Sequence, residues 1–269
     1  MVRTAPWLRY SLRIFVVAYL TLLVAWPVAL VFRHAFADGF GAFAQALSEP
    51  NVRHALQLSL LVTVVAVVIN TVFGVTISLL IVRTEFPGKR LLSALLDVPL
   101  SVSPVVVGLA LLLVYNPRDS WIGTHLANAG LQVVFSTPGI VLATVFVALP
   151  LVIREVVPTL QEVGDEQEWA ARSLGANESQ TFWRITLPGI KWAVVYGVVL
   201  SLARSLGEYG AVKVVSGNIV GSTQTATLVV EERYQNFDQP TAFALAFILA
   251  SVAVACIVVV AILRPQHED

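Results

Sequence analysis

Long apolar blocks alternate with short polar segments along the whole chain. Six of these blocks approach the roughly 20 mainly apolar residues that a membrane-crossing helix needs. A helix is the expected structure for each block, because a single chain segment in lipid must satisfy its own backbone hydrogen bonds. The pattern therefore predicts an all-α membrane protein with six transmembrane helices. The predicted spans are residues 12–32, 56–82, 94–115, 133–157, 190–214 and 241–263.

The composition agrees with this class. Hydrophobic residues make up 57% and charged residues 13% of the 269 residues, which is typical of a membrane protein. We divide the chain into residues 1–50, an anchor helix with the first outer loop, and residues 51–265, a core transmembrane domain with a cytoplasmic loop at 164–188. The four histidines show no metal-ligand spacing, and the single cysteine, Cys256, cannot form an intrachain disulfide. We therefore expect no metal site.

Basic residues are distributed unevenly around the spans, which predicts the orientation of the chain. They concentrate before the first span, after the second, around the connection between the fourth and fifth, and after the sixth. By the positive-inside rule, these segments face the cytoplasm, so both termini and residues 164–188 are predicted to lie inside a multi-pass cell membrane protein. The residues concerned are Arg3, Arg9, Arg13, Arg83, Lys89, Arg90, Arg154, Arg172, Arg184, Lys191 and Arg264.

Residues 164–188 form a polar island with the signals of two short helices. Acidic residues from Asp165 to Glu168 occupy a first helical turn, where they oppose the positive end of the helix dipole. Gly175 lies where a left-handed residue would end that helix. Asn177 and Gln180 have capping-box spacing for a second helix, and Pro188 suits the first turn of the next one. The island is therefore predicted to be a helix, a tight turn, a helix and a return to the membrane.

The same island resembles the cytoplasmic loop by which permeases of ABC importers grip their ATPase. The family pattern is Glu-Ala-Ala, three residues, Gly, nine residues, Ile, one residue and Leu-Pro. Trp169 stands at the family's Glu position, with Glu168 one place earlier. The resemblance implies an ATPase-coupling role for this segment. The residues that it marks are Glu168, Trp169, Ala170, Ala171, Gly175, Ile185, Leu187 and Pro188.

Further strings between about residues 50 and 260 look like the W-type (CysW) permease subunit of sulfate/thiosulfate importers. The resemblance implies a type I ABC importer permease that forms half of a pore. It also implies a second, homologous permease subunit, two copies of an ATPase that bind ATP and Mg, and an extracytoplasmic sulfate-binding protein as partners. The strings are Phe86-Pro87-Gly88-Lys89-Arg90, Leu96-Asp97-Val98-Pro99, Val102-Ser103-Pro104-Val105-Val106, Arg154-Glu155-Val156-Val157-Pro158, Gly207-Glu208-Tyr209-Gly210-Ala211-Val212 and Val215-Ser216-Gly217.

The absence of a nucleotide-binding motif in the sequence agrees with that division of labour. The chain contains no phosphate-cradling Gly-x-x-x-x-Gly-Lys-Ser/Thr loop, no catalytic constellation and no nucleic-acid patch. We therefore expect a permease subunit that binds no cofactor and is not an enzyme. The alternatives are a molybdate or tungstate permease, which shares the Gly207-Glu208 block, a self-sufficient secondary anion transporter, and an intramembrane enzyme.

Four residues in the predicted fifth span are candidates for an anion path. Ser201, Arg204, Ser205 and Glu208 recur at three- and four-residue spacing, which would stack them on one helix face. Ionisable residues within a span point to the bundle interior and mark function by default. Two interpretations remain open: Arg204 and Glu208 form a pair that only fixes helix packing, or Glu208 holds Arg204 so that its guanidinium faces the anion.

The third predicted span holds two further candidates, Ser101 and Ser103. Pro104 follows them and frees a backbone carbonyl, so a kink here would line a gate. Close helix packing by small residues is the alternative. Asp97, near the cytoplasmic end of the same span, is expected to be interfacial.

Overall fold

The computed structural model describes residues 6–263, and all regular structure within this range is helical. Two π-helical turns, Thr21–Ala25 and Phe182–Thr186, join α1 to α2 and α10 to α11. The all-α prediction is confirmed. The helices are α1 Pro6–Leu20, α2 Trp26–Ala35, α3 Gly39–Ser48, α4 Pro50–Arg83, α5 Lys89–Ser101, α6 Pro104–Tyr115, α7 Trp121–Asn128, α8 Thr137–Val163, α9 Glu166–Ser173, α10 Glu178–Thr181, α11 Leu187–Leu206, α12 Gly210–Ser216, α13 Ala226–Gln235 and α14 Gln239–Leu263.

Five helices in the described range are long and apolar enough to cross a membrane, and α5 with α6 makes six if that bent pair counts as one span. We name the side of the membrane that holds residues 164–188 the inner side and the opposite one the outer side. Which side faces the cytoplasm stays a prediction, and two of its marker residues, Arg3 and Arg264, lie outside the described residues. The five spans are Tyr10–Ala35, Pro50–Arg83, Thr137–Val163, Glu178–Leu206 and Gln239–Val259.

The third predicted span, 94–115, is wrong as a single helix. Helix α5 ends at Ser101, and α6 begins at Pro104 after a change of direction of 112°. Val102 (φ −96°, ψ 137°) and Ser103 (φ −57°, ψ 134°) are extended between them. The proline explains Ser103, because the residue before a proline is pushed out of the helical region. The expected kink at Pro104 is therefore a complete break, which we name the α5–α6 bend.

The fifth predicted span, 190–214, also breaks before its end. Helix α11 stops at Leu206, and α12 restarts at Gly210. Glu208 lies between the two helices and accepts a hydrogen bond from the backbone N–H of Ala211 through Oε1 at 3.0 Å. A carboxylate at the start of a helix satisfies a backbone donor that has no partner within the helix. Glu208 is therefore not on the face of α11, as its spacing predicted, but caps α12.

The centre of the fold is the contact of α4, α8 and α11, where small residues allow close approach. A Cβ atom added to Gly74 of α4 would lie 2.8 Å from Val152 Cβ, and one added to Gly197 of α11 would lie 2.8 Å from Val152 Cα. Interfaces between membrane helices use small residues in this way because packing, rather than exclusion of water, holds them together. Val156 and Leu160, which are fully buried, extend this core toward the inner side.

Helices α1 and α2 lie at the edge of the fold. No residue in the most apolar stretch of Tyr10–Ala35 is buried against the rest of the described chain. Its outer end meets α14 through rings: Phe247 lies 5.4 Å from Phe32, 5.3 Å from Phe36 and 6.0 Å from Phe43 between ring centroids. We name these four residues the aromatic cluster. It connects the first membrane helix of the described chain to the last.

Candidate functional site

The coupling segment, residues 164–188, has the local structure that its sequence predicts. Helix α9 ends at Ser173, and Gly175, just after its C-cap Leu174, has a φ of +90°. The N–H of Gly175 donates to Arg172 O at 2.9 Å and that of Ala176 to Ala171 O at 3.0 Å, the bond pair of a Schellman motif. Asn177 and Gln180 exchange both hydrogen bonds of a capping box at the start of α10. The helix, turn and second helix are confirmed.

The return to the membrane differs from the prediction in one respect. Pro188 lies in the first turn of α11, as expected, but α10 and α11 are not separate helices. The π-helical turn Phe182–Thr186 joins them, and the N–H of Leu187 donates to Phe182 O, five residues back. A wider turn accommodates the proline ring, which would clash with the carbonyl four residues before it in an α-helix. Residues Glu178–Leu206 therefore form one continuous helix of 29 residues.

Glu168 is turned toward the protein and bound by Arg83 at the inner end of α4. Arg83 Nη2 lies 3.0 Å from Glu168 Oε1, and Arg83 Nε lies 3.1 Å from Oε2. Arg83 also donates to the carbonyls of Leu160 at 3.2 Å and Gly164 at 2.5 Å, while the Thr186 hydroxyl donates to Glu168 Oε1 at 3.0 Å. We name these residues the Arg83–Glu168 cluster. It ties the inner ends of α4 and α8 to α9 and to the π-helical turn.

Glu168 is buried at this position. Its residue accessibility is 8%. Any effect of Glu168 on a partner therefore acts through the position of α9. Arg83 was predicted only as a marker of orientation. Its pairing with Glu168 was not predicted, because the two residues are 85 positions apart and share no local spacing.

Three large apolar side chains are exposed on the coupling segment, among charged and polar ones. Trp169 is 61% and Leu174 89% exposed, and Trp183 is exposed nearby. The Trp169 indole is held in place, since its Nε1 donates to Asp165 Oδ2 at 3.0 Å and the Arg172 guanidinium lies 6.0 Å from the ring centroid. We name Trp169, Leu174 and Trp183 the coupling surface. Of the other residues marked by the resemblance, Ala170, Gly175 and Pro188 are exposed, and Ala171, Ile185 and Leu187 are half-buried.

Arg204 and Glu208 form the expected ion pair across the end of α11. Arg204 Nη1 lies 2.6 Å from Glu208 Oε2, and the two side chains are 37% and 2% exposed. The carboxylate is thus buried, while part of the guanidinium remains open. Glu208 is fixed from two sides, because its carboxylate also caps α12 and its carbonyl accepts from the Thr227 hydroxyl at 2.9 Å. This arrangement can present a half-neutralised arginine to an anion.

The four candidate serines fall into two groups. Ser201 and Ser205 are buried on α11, and their hydroxyls have no hydrogen-bond partner among the described residues. Ser101, the last residue of α5, and Ser103, in the α5–α6 bend, are exposed. Asn70, a fully buried residue of α4, was not among the candidates from the sequence, and its amide atoms are also unpartnered within the described chain. An asparagine inside an apolar block was the signal available for it.

A second arginine pair lies closer to the inner side. Arg154 Nη2 of α8 is 3.0 Å from Asp97 Oδ1 of α5, and both side chains are 59% exposed. Asp97 was predicted to lie at the membrane interface, and its side chain is exposed, whereas Arg154 was predicted only as a marker of orientation. A cavity of about 260 Å³ adjoins the pair and is also lined by Ser93, Leu96 and Pro158.

On the outer side, Lys213 of α12 pairs with Glu231 of α13 and donates to the Tyr209 hydroxyl at 2.7 Å. Burial acts to raise the pKa of Glu231, but hydrogen bonds with Lys213 and Tyr209 lower it overall. Glu231 is therefore ionised at neutral pH. The pair connects the helix that Glu208 caps to the next outer helix.

Comparison with known families places the chain among transport proteins. Residues 70–267 match the family model described as binding-protein-dependent transport system inner membrane component. The sulfate transport system permease protein CysW of Synechocystis is 45% identical over 258 residues, which cover 96% of this chain and 93% of that relative. CysW of Escherichia coli K12 is 40% identical over 266 residues, covering 98% and 89%. The related protein CysT of Synechocystis is 33% identical over 248 residues, covering 92% and 86%.

Solved structures show the same fold in proteins of low sequence identity. A bacterial ABC transporter involved in the import of the acidic polysaccharide alginate superposes with a TM-score of 0.78 at 15% identity and covers 98% of this chain and 96% of that one. A bacterial alginate ABC transporter in complex with an alginate pentasaccharide-bound periplasmic protein superposes with a TM-score of 0.76 at 16% identity. This match covers 94% of this chain and 92% of that one.

Proposed function

This chain belongs to the family of inner membrane components of binding-protein-dependent transport systems, and we propose that it is the CysW-type permease subunit of an ATP-driven sulfate importer. The observation that carries the proposal is the 45% identity to a CysW protein over more than nine-tenths of both chains. The chain lies in the membrane as a multi-pass subunit. Thiosulfate is a second candidate substrate from the sequence resemblance, and molybdate or tungstate the alternative cargo.

The remaining parts of the importer are proposed to be separate proteins. The chain carries no phosphate-binding loop of its own, so a partner ATPase supplies ATP hydrolysis. A CysT-type permease is the proposed other half of the pore, since CysT proteins are similar to this chain over most of their length. An extracytoplasmic protein delivers the anion, a partner of the kind that one of the alginate transporter structures contains.

The coupling surface is the proposed contact with the ATPase. Exposed tryptophan and leucine side chains of this kind are costly to leave in water and mark a protein–protein contact. The segment is also mechanically connected to the membrane helices. The Arg83–Glu168 cluster fixes α9 to the inner ends of α4 and α8, and the continuous helix Glu178–Leu206 runs from the segment to Arg204 and beyond. Movement of the ATPase would therefore shift the helix that carries Ser201, Arg204 and Ser205, the candidate residues of the anion path.

A sulfate-like dianion needs polar partners on its way through the membrane, because an isolated charge in a medium of low dielectric is strongly disfavoured. Arg204 is the proposed partner near the outer end of α11. Its planar donor fork suits a tetrahedral oxyanion. Glu208 neutralises part of its charge, which would keep the anion from being held too tightly for release.

ATP-driven uptake in a defined system tests this function. The chain would be reconstituted in liposomes with its CysT-type partner, the ATPase and the binding protein, and uptake of labelled sulfate would be measured. We expect uptake that requires ATP and all four components, with thiosulfate competing. A complex with a catalytically inactive ATPase is the control. Sulfate flux through this chain alone under a proton or sodium gradient would favour the secondary transporter, and competition by molybdate but not thiosulfate would change the cargo.

Replacement of Trp169 by alanine tests the coupling surface. We expect about 30-fold weaker association with the ATPase, because a large buried aromatic at an interface contributes on the order of 2 kcal/mol. Trp121→Ala is the matched control, since Trp121 is 76% exposed but lies on α7 at the outer side. Equal loss of ATPase in the two variants would remove Trp169 from the contact.

A further inference from the structure

The Arg154–Asp97 pair repeats the chemistry of the Arg204–Glu208 pair on the inner side. In both, an arginine on a membrane helix meets a carboxylate of a neighbouring element or turn, and part of the guanidinium stays open. Both differ from the Arg83–Glu168 pair, whose side chains are largely enclosed and hydrogen-bonded on several sides. The first two guanidinium groups are therefore more open to an approaching anion than that of Arg83, which is 18% exposed.

The depth of Arg154 can be read from its neighbours. Gly197 of α11 lies against Val152 of α8, and the two helices run in opposite directions. Arg154 is two residues from Val152 toward the inner side, and Arg204 is seven residues from Gly197 toward the outer side. At 1.5 Å per residue the two arginines are about 13 Å apart along the helix axes.

The broken third span contributes to one arginine pair and lies against a residue close in sequence to the other. Helix α5 carries Asp97 to Arg154. The first turn of α6 lies against Gly210, two residues after Glu208: a Cβ atom on Gly210 would be 3.1 Å from Pro104 Cβ and 3.4 Å from Val105 N. The exposed Ser101 and Ser103 lie at the bend between these two contacts. Hydroxyl groups therefore line the chain segment that connects one arginine to the other.

The surroundings of Arg154 provide room for a ligand. The adjoining cavity of about 260 Å³ is several times the roughly 30 Å³ that a water molecule occupies in the liquid. Its polar lining is Arg154, Asp97 and Ser93, and apolar side chains form the rest. Because exposed ion pairs add little stability, a dianion can displace Asp97 from the guanidinium without disturbing the fold.

We propose that Arg154 is a second binding residue for the tetrahedral oxyanion, at the inner end of the path, and that Asp97 competes with the anion and releases it. This inference rests on the proposed function. The anion leaves Arg204, passes the hydroxyls at the α5–α6 bend and reaches Arg154. Asp97 returns to Arg154 as the anion departs, so the inner site does not retain its cargo.

Steady-state uptake of labelled sulfate by the assembled importer, measured over a range of concentrations, tests this site. Arg154→Gln is expected to lower kcat/KM about tenfold or more. Arg154→Lys should lower kcat/KM less, because lysine keeps the positive charge but lacks the planar pair of guanidinium donors. Asp97→Asn is expected to lower KM and kcat together, because an unneutralised arginine binds the anion more tightly and releases it more slowly. If the pair had only a structural role, Asp97→Asn would not lower KM and kcat in parallel.

The double variant Arg154→Met, Asp97→Leu separates ligand binding from packing. Both charges are removed together, so the complex should assemble and hydrolyse ATP, but uptake should remain at least tenfold reduced. Uptake by this variant at the wild-type level would overturn the proposal for Arg154. The proposed function is tested separately, by uptake of the wild-type complex in the same assay. A lipid phosphate has the same chemistry as the cargo. The loss of uptake in Arg154→Gln could instead vary with the anionic lipid content of the vesicles while the dependence of uptake on sulfate concentration stays unchanged. That result would assign Arg154 to lipid binding and would also overturn the proposal.

Discussion

Replacement of Arg83 by methionine is expected to reduce ATP-driven uptake at least 100-fold. The substitution leaves Glu168 as a buried carboxylate without its counter-charge, and breaking a buried pair in this way costs about 3–5 kcal/mol. Helix α9 would then leave its place beside α4 and α8, and would carry Trp169 and Leu174 of the coupling surface with it. The measurements are sulfate uptake and ATP hydrolysis by the same reconstituted complex, where we expect uptake to fall further than hydrolysis.

Two further variants make this expectation specific. Arg83→Met with Glu168→Gln removes both charges and keeps an acceptor for Thr186, so it should recover much of the uptake. Lys89→Met is the matched control, because Lys89 pairs at 2.7 Å with the exposed Glu85 on the same side of the membrane. Surface pairs contribute little, so this variant should transport normally. Uptake by Arg83→Met at the level of Lys89→Met would show that the cluster does not position α9 for coupling.

A double-mutant cycle at Arg204 and Glu208 should separate stability from transport. Either single neutralisation should lower the yield of folded complex, since Arg204→Met leaves a buried carboxylate unpaired and Glu208→Gln leaves the arginine without its counter-ion. The double variant Arg204→Met, Glu208→Gln should restore the yield, because the glutamine oxygen can still accept from Ala211 N–H. We expect its uptake to stay about 10- to 100-fold low, the loss of a charge-assisted contact with the anion.

The readouts of this cycle are the amount of assembled complex and the uptake of labelled sulfate per complex. Arg118→Met removes a positive charge from an exposed outer loop and serves as the control for a general loss of attraction between protein and anion. It should transport as the wild type does. Full uptake by the Arg204, Glu208 double variant would leave the pair with a packing role alone and remove Arg204 from the anion path.

The features that the sequence predicted well are local. The Gly175 turn and the Asn177 capping box depend on residues within six positions of each other, so the residue types alone specify them. Five of the six spans follow from apolar length, which is a property of each segment by itself. The pairing of Arg204 with Glu208 also followed from spacing.

The features that the sequence did not predict depend on backbone breaks and on distant partners. Apolar length does not report φ and ψ, so 94–115 and 190–214 read as unbroken although the chain turns at Ser103 and at Gly207. The predicted contact between Arg204 and Glu208 is present, but Glu208 does not lie on α11 as predicted. A carboxylate just after the end of a helix can still contact a side chain of its last turn. Glu168 meets Arg83 from another part of the chain, and no periodicity encodes such a contact.

The aromatic cluster can form only late in the synthesis of the chain. Phe36 and Phe247 are separated by about 210 residues. At roughly 5–20 residues per second, about 10–40 seconds pass between the synthesis of the two rings. During that interval the apolar surface of Tyr10–Ala35 has no ring of α14 to pack against. Insertion of the last helix is therefore the step that docks the first one, and a ribosome that stalls before Phe247 leaves the earliest membrane segment undocked in the bilayer.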